Sequence, residues 1–201
     1  MATLPFTFEE YRGRQSRLLE QIPTDSLVLI PTNPVLFRSN DTSFPYRANS
    51  YMLYLCGWSD PEAVLMAHHD ADSWVITLFV QPRDTKAEIW TGCRVGTEGA
   101  ASGWPVHETH SINDLKDIVG THLGACKQVC LTQGLNSTLD ELVSSSACSI
   151  SADHNSILDE MRVFKSDREI QLMLESADIA SAAHVAAIRK GYSGMGEWQI
   201  Q

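Results

Sequence analysis

The chain has 201 residues, 43% hydrophobic and 20% charged, a balance that supports a buried core and excludes intrinsic disorder. Its 15 basic side chains stand against 25 acidic ones, and the net charge of −10 excludes nucleic acid and anionic membrane surfaces as natural partners. Cys56, Cys93, Cys126, Cys130 and Cys148 are odd in number and lack disulfide-framework spacing, the opening Met1–Pro5 carries no basic leader, and no apolar run could cross a bilayer, so the expected compartment is the cytoplasm.

Thr7 followed by Glu10 is a capping box and predicts a helix from Phe8 to about Gln21. Ser26–Ile30, bounded by Pro23 and Pro31, reads as a buried strand. Beyond a loop rich in Asn, Ser and Pro, three more strands are expected at Tyr51–Leu55, Ala63–Ala67 and Trp74–Val80. The last two form a hairpin joined by the polar run from His68 to Ser73. Ile112–Leu123 reads as a helix with Ser111 as its cap, Gln128–Leu131 as a strand and Thr138–Ser146 as a helix. Strands interspersed with helices predict a mixed α/β layer.

From Ser166 the pattern becomes strongly helical. Ser166 and Glu169 form a second capping box, and Ile170, Met173, Leu174, Ala177, Ala180, His184, Ala187 and Ile188 recur at helical spacing until Gly191. This predicts an amphipathic helix about 36 Å long, whose small residues imply close packing against another element. The run Ser151–Ser156 is expected to separate the α/β part from that helix, with a boundary between residues 150 and 165. Met195–Gln201 reads as the opening of a further helix with no body, as though the sequence were cut there.

Several residue clusters resemble chemistry without supplying it. His68, His69, Asp70 and Asp72 have the right donors for a metal, but neighbours in an extended chain point to opposite faces, so a solvated hairpin turn is the better reading. His107-Glu108-Thr109-His110 lacks the second residue that a zincin places between Glu and the second His. Cys126 and Cys130 have no second pair to complete a zinc site and read as structural. Cys93 lies beside Arg94, yet no His is placed by sequence to activate it. Gly191-Tyr192-Ser193 begins like a nucleophile elbow but has Met at position 195 where that motif needs Gly, and the glycines at 191, 194 and 196 are in the wrong order for a dinucleotide loop. No catalytic residue and no metal site is expected in this sequence.

Three blocks remain. The first comprises Phe37-Arg38-Ser39-Asn40-Asp41, Pro45-Tyr46-Arg47, Asn49-Ser50-Tyr51, Leu55-Cys56-Gly57-Trp58 and Pro61-Glu62-Ala63-Val64-Leu65. The second is Arg83-Asp84 with Ala87 to Gly96, and the third is Glu160 to Ser166. Together and in this order they resemble the amino-terminal half of Xaa-Pro aminopeptidases of the aminopeptidase P type; between Val106 and Ser156 little resemblance is visible. The resemblance implies an α/β domain of the creatinase/prolidase kind over residues 1–160, a mixed β-sheet flanked by helices, followed over 161–201 by a long helix that would be the truncated start of a pita-bread catalytic domain.

In that family the catalytic domain holds two manganese ions on Asp, Asp, His, Glu and Glu, and a metal-activated water attacks the bond before proline, chemistry that two metals promote by acidifying the water and polarising the carbonyl. None of those ligand positions falls in this sequence, so the chain alone is expected to lack a cofactor and to be inactive. The resemblance further implies a homo-oligomer acting on peptides with proline in second position. Trp90, in its Glu-Ile-Trp-x-Gly block, would approach the active site of a neighbouring subunit, with Asp41 near the same entrance. Gly92 would allow close backbone approach and Arg94 polar contacts. Trp90 is accordingly expected as an exposed indole on a loop rather than a core aromatic. Pro45-Tyr46-Arg47 and the residues after it favour aminopeptidase P over prolidase and creatinase relatives. The alternative is a stand-alone, non-catalytic interaction or oligomerisation module of the same fold.

Overall fold

The computed structural model describes residues 4–200, divided into one compact unit up to Asp159 and a second from Glu160. In chain order the first contains α1 (Phe8–Leu19), β1 (Ser26–Pro31), β2 (Phe37–Ser39), β3 (Thr42–Ser43), α2 (Ser50–Leu55), β4 (Val64–Asp70), β5 (Ser73–Val80), α3 (Thr85–Thr91), α4 (Gly96–Gly103), β6 (Glu108–Ser111), α5 (Leu115–Leu123), β7 (Gln128–Leu131), α6 (Ser137–Ser144) and β8 (Ser149–Ser151). Helix α7 (Asp153–Met161) follows, and the second unit is dominated by α8 (Asp167–Lys190).

Six strands make one mixed sheet in the order β6-β5-β4-β1-β7-β8. The β4–β5 hairpin and the β1–β4 pair are antiparallel; β5–β6, β1–β7 and β7–β8 are parallel. All six residues of β1 are buried, because both faces of the sheet are covered. Alternation along the strand divides them. Leu27 and Leu29, with Val64, Met66 and Phe79, pack against Leu115 and Val119 of α5 and Leu139 and Val143 of α6. Val28 and Ile30, with Leu65, Ala67 and Ile76, meet Leu18 and Leu19 of α1 and Leu55 of α2.

Helix α1 buries Tyr11, Arg14, Gln15, Leu18 and Leu19, spacings that make one helical stripe although two members are polar. Arg14 is 1% exposed. It donates to the backbone oxygen of Tyr54 (3.1 Å) and to Glu10 Oε1 (2.8 Å), and its guanidinium stacks 4.0 Å from the Phe6 ring centroid and 4.4 Å from that of Tyr54. Gln15 donates to the oxygens of Leu55 (2.9 Å) and Pro105 (3.0 Å). Tyr54 and Leu55 end α2, where a helix leaves its carbonyls unpaired, so α1 supplies the missing donors.

That α2 is a helix corrects the expected strand at Tyr51–Leu55. A five-residue apolar run does not distinguish the two periods. The deciding residue is Asn49, whose Oδ1 accepts from Tyr51 N (2.8 Å) while its amide donates to Pro31 O (3.1 Å), tying the helix start to the end of β1. Gly57 closes the helix at φ +74°, where a Cβ would lie 2.5 Å from Tyr11 Oη, so only glycine fits. Asn40 and Asp41 form the tip of the small β2–β3 ribbon, which sits in the run expected to be an irregular loop. Residues 153–156, in the run read as separating two domains, open α7.

The β4–β5 hairpin is present with a tighter connection than expected. Asp70 pairs with Ser73, leaving Ala71 and Asp72 as the loop, with Ala71 at φ +48°. His68 and His69 are therefore strand residues on opposite faces: His68 stacks on His122 of α5 (centroids 4.0 Å apart), and His69 meets Trp74 edge-on. Burial, reinforced by the neighbouring His68, lowers the pKa of His122. The helix expected over Ile112–Leu123 opens as a 3₁₀ turn at Ile112–Asp114, capped by Ser111 Oγ accepting from Asn113 N (3.2 Å).

In the second unit, α8 carries the expected capping box, with Glu169 N donating to Ser166 Oγ (3.3 Å) and Ser166 N to Glu169 Oε2 (2.8 Å). Acidic residues at its start and Arg189 and Lys190 at its end suit the helix dipole. Along α8 the apolar side chains of Ile170, Met173, Leu174, Ile179, Val185 and Ile188 are exposed. The final run adopts only a 3₁₀ turn at Glu197–Gln199, and Gln201 lies outside the described residues.

Two stability outcomes follow from the buried polar groups. Arg14→Met should lower the urea-unfolding free energy by about 3 kcal/mol, because the buried Tyr54 carbonyl and the partly exposed Glu10 both lose a donor; Arg14→Lys should recover only part, lacking the planar fork. His154 is 1% exposed, with Nε2 3.3 Å from Thr132 Oγ1 and Nδ1 unpaired. Burial depresses its pKa to about 4, against the opposing pull of Asp153. An unfolded imidazole titrates near 6.5, so its contribution is intact above that pH and falls away as the pH drops toward 4, by roughly 3 kcal/mol in full. His154→Gln should flatten this limb of the stability profile relative to the parent chain, as measured by denaturant titrations across that window.

Candidate functional site

The segment from Arg83 to Gly96 folds around a two-pronged ion pair. Arg83 Nε and Nη2 donate to Glu88 Oε1 and Oε2 at 2.6 and 2.9 Å, the parallel geometry that a guanidinium and a carboxylate favour. Between them Asp84 caps α3, its Oδ1 accepting from Lys86 N (2.9 Å) and Ala87 N (3.2 Å). The bond from Arg83 holds the Glu88 carboxyl below its ordinary pKa, and the two backbone donors do the same for Asp84. These polar anchors matter because α3 has no buried residue of its own.

The helix presents Ile89 and Trp90 to solvent, and Trp90 is 89% exposed. It stands on α3, not on the expected loop; the cap at Asp84 and the fork to Glu88 make the segment helical. Gly92 ends the helix at φ +84°, ψ +170°, a region open in practice only to glycine, while its N–H donates to Glu88 O (3.1 Å). Arg94 is half-buried, with Nη1 donating to Pro82 O (3.4 Å) and Nε enclosed without a partner. Arg83, Asp84 and Arg94, together with Glu62, Gln81 and Asn113, line an open polar depression beside the helix.

Trp90, Gly92 and Arg94 are thus neighbours in one element and its exit. Asp41 lies elsewhere, exposed at the tip of the β2–β3 ribbon, and no hydrogen bond or ion pair among the described residues links it to them. This arrangement can bind: an aromatic face, two guanidinium groups and two carboxylates offer stacking and polar contacts. It contains no nucleophile paired with a base.

The metal-like clusters separate in the same way. Among the described residues no group of three or more His, Cys, Asp and Glu side chains is placed to hold an ion. His107 serves the sheet, its Nδ1 accepting from Ile76 N (2.9 Å). Cys130 is buried in β7, and Cys126 is in contact with Cys148. The roles of Arg83, Asp84 and Glu88 escaped the sequence reading, although an Asp followed four residues later by Glu, just after Arg, was the available signal.

A profile of the family described as "Aminopeptidase P, N-terminal domain" matches residues 11–131. The chain belongs to this family. It is 31% identical over 203 aligned residues to the Xaa-Pro aminopeptidase of Haemophilus influenzae, covering 100% of this chain and 47% of the relative. It is also 31% identical to the Xaa-Pro aminopeptidase of Escherichia coli, covering 96% of this chain and 47% of that protein. The solved structure of zinc-substituted E. coli aminopeptidase P in complex with product superposes with a TM-score of 0.88 at 30% identity, over 97% of this chain and 48% of the other. The chain therefore spans about half the length of the relatives it matches. The mixed sheet flanked by helices is the amino-terminal architecture of aminopeptidase P, and the match extends through residues 106–131, where the sequence motifs show little resemblance.

Gly92→Ala places a Cβ on a backbone that L-residues avoid, although no atom lies within 4 Å to clash with it. The cost of about 1–2 kcal/mol should fall on α3 alone. Amide exchange at Ile89, Trp90 and Thr91 should accelerate in the variant while the global unfolding midpoint stays in place.

Proposed function

We propose that this chain is the amino-terminal, non-catalytic part of a metal-dependent Xaa-Pro aminopeptidase, a hydrolase that removes the first residue from peptides with proline in second position. The observation that carries the reading is an alignment running the whole length of this chain and only 47% of an Xaa-Pro aminopeptidase. On this reading residues 1–160 form the aminopeptidase P amino-terminal domain, and residues 161–201 begin the catalytic domain. The bare apolar stripe of α8 is then the face assigned to the rest of that domain. The two manganese ions implied by the family would belong there, since the donors among the described residues of this chain do not converge on an ion.

The same reading makes the protein a cytoplasmic homo-oligomer in which α3 of one subunit borders the substrate entrance of the next. Trp90 would lie along longer peptides, with Arg94 offering polar contacts, Gly92 shaping the approach and Asp41 at the same entrance. The exposure of Trp90 supports this role, because a folded chain gains nothing from leaving so large an apolar side chain in water. Five free cysteines suit a reducing compartment, and no described helix is long and apolar enough to cross a membrane.

The purified 201-residue chain should not turn over Xaa-Pro dipeptides or tripeptides, with or without added manganese. In the full-length parent, Trp90→Ala should lower kcat/KM for longer peptides, a loss of about 1–3 kcal/mol in transition-state stabilisation, and leave dipeptide hydrolysis unchanged. Metal-dependent turnover by the chain alone would overturn the assignment of the catalytic centre. Equal kinetics at every peptide length would remove Trp90 from the entrance.

A further inference from the structure

Cys126 and Cys148 are 22 residues apart in sequence, yet their sulfurs lie 3.3 Å from each other. Cys126 sits in the turn between α5 and β7, and Cys148 directly precedes β8. Those two strands are adjacent and parallel, with Gln128 opposite Ser149, and Ser149 N donates to Lys127 O (3.0 Å). The backbone between the cysteines is therefore pinned. Continuing that register places Cys126 diagonally across from Cys148 on strands about 4.8 Å apart, an offset that suits the Cα separations disulfides span, and the sulfurs already face each other.

Both thiols are partly exposed, in a shallow depression that also exposes Gly120, Gly124, Leu142 and Ser146. The other cysteines differ: Cys56 and Cys130 are buried, and Cys93 stands exposed far along the chain from this pair. Cys148 Sγ lies 3.2 Å from both the Leu123 and the Cys126 carbonyl oxygens, which fixes its rotamer toward its neighbour.

We propose that Cys126 and Cys148 are a redox-active dithiol that closes to an intramolecular disulfide in the presence of a low-molecular-weight disulfide such as oxidised glutathione. The Cys148 thiolate attacks the external disulfide, forming a mixed disulfide and releasing one thiolate. Cys126 then loses its proton and its sulfur attacks Cys148 Sγ, releasing the second. The protein gives up two electrons and two protons, and one external disulfide becomes two thiols. Burial, then the hydrogen bond to Cys148, pushes the Cys126 thiol up to about 12, so Cys126 keeps its proton at neutral pH and closure quickens as the pH rises. The bond would staple the α5–β7 turn to the start of the edge strand β8, enclosing β7 and α6 in a closed loop.

The test is to incubate the full chain with oxidised glutathione at mildly alkaline pH, block free thiols with N-ethylmaleimide and map the peptides without reduction. The expected product is one cross-linked peptide joining Cys126 and Cys148, lighter by two hydrogens, with Cys93 outside it. Its melting temperature should rise on the order of 5 °C and return on reduction. Cys126→Ser should instead leave glutathione held on Cys148. The proposal fails if both cysteines stay open to the blocking reagent, if each carries its own glutathione, or if the cross-link joins other cysteines or two chains. The map of the parent chain decides this even where the variant does not fold.

Discussion

A strand covered on both faces and paired along both edges cannot leave a single backbone group to water, and β1 is such a strand. Its antiparallel pairing with β4 on one side and parallel pairing with β7 on the other fix where the hairpin and the second half of the domain must lie. Because Leu27 and Leu29 point one way and Val28 and Ile30 the other, two helical layers are needed: α1 with α2, and α5 with α6. The parallel partner has to be reached by a crossover, so β7 comes late in the sequence while β4 and β5 come early.

The layer containing α1 is held by polar side chains as much as by apolar ones. Arg14 and Gln15 reach across to the last carbonyls of α2, and Asn49 at the other end of that short helix reaches back to Pro31. A six-residue helix has too few internal hydrogen bonds to persist alone. Here its two ends are tied to α1 and β1. This explains why the residues by which the chain resembles aminopeptidase P are so largely structural: Tyr46 bonds Thr32, Asn33 donates to Arg47 O, Asn49 caps, and Gly57 makes room for Tyr11.

The mixed α/β architecture, β1, the β4–β5 hairpin, β7 and α8 were legible because each carries an apolar period or a cap written in adjacent residues. Tyr51–Leu55 was misread because its helical state is decided by Asn49 and by donors forty positions upstream. The β6 and β8 strands are not legible because edge strands of three or four residues, Glu-Thr-His-Ser and Ser-Ile-Ser, are too short to display a period. At the candidate site, Trp90 stood out as an unusual residue, but its helix did not. Seven residues with nothing buried leave no periodic signature, and the fork from Arg83 to Glu88 is visible only as a contact. The pairing of Cys126 with Cys148 rather than with Cys130 is likewise a product of strand adjacency, which spacing along the chain conceals.

The way α3 is fastened has an evolutionary side. Its three polar anchors, Arg83, Asp84 and Glu88, do the work of holding it, and Ile89 and Trp90 contribute no buried area to the core. With both side chains largely in solvent, the helix tip can vary in step with whatever surface it meets. A lineage could retune that tip by single substitutions without first acquiring stabilising changes elsewhere, and the domain could accommodate new neighbours while its sheet stayed the same.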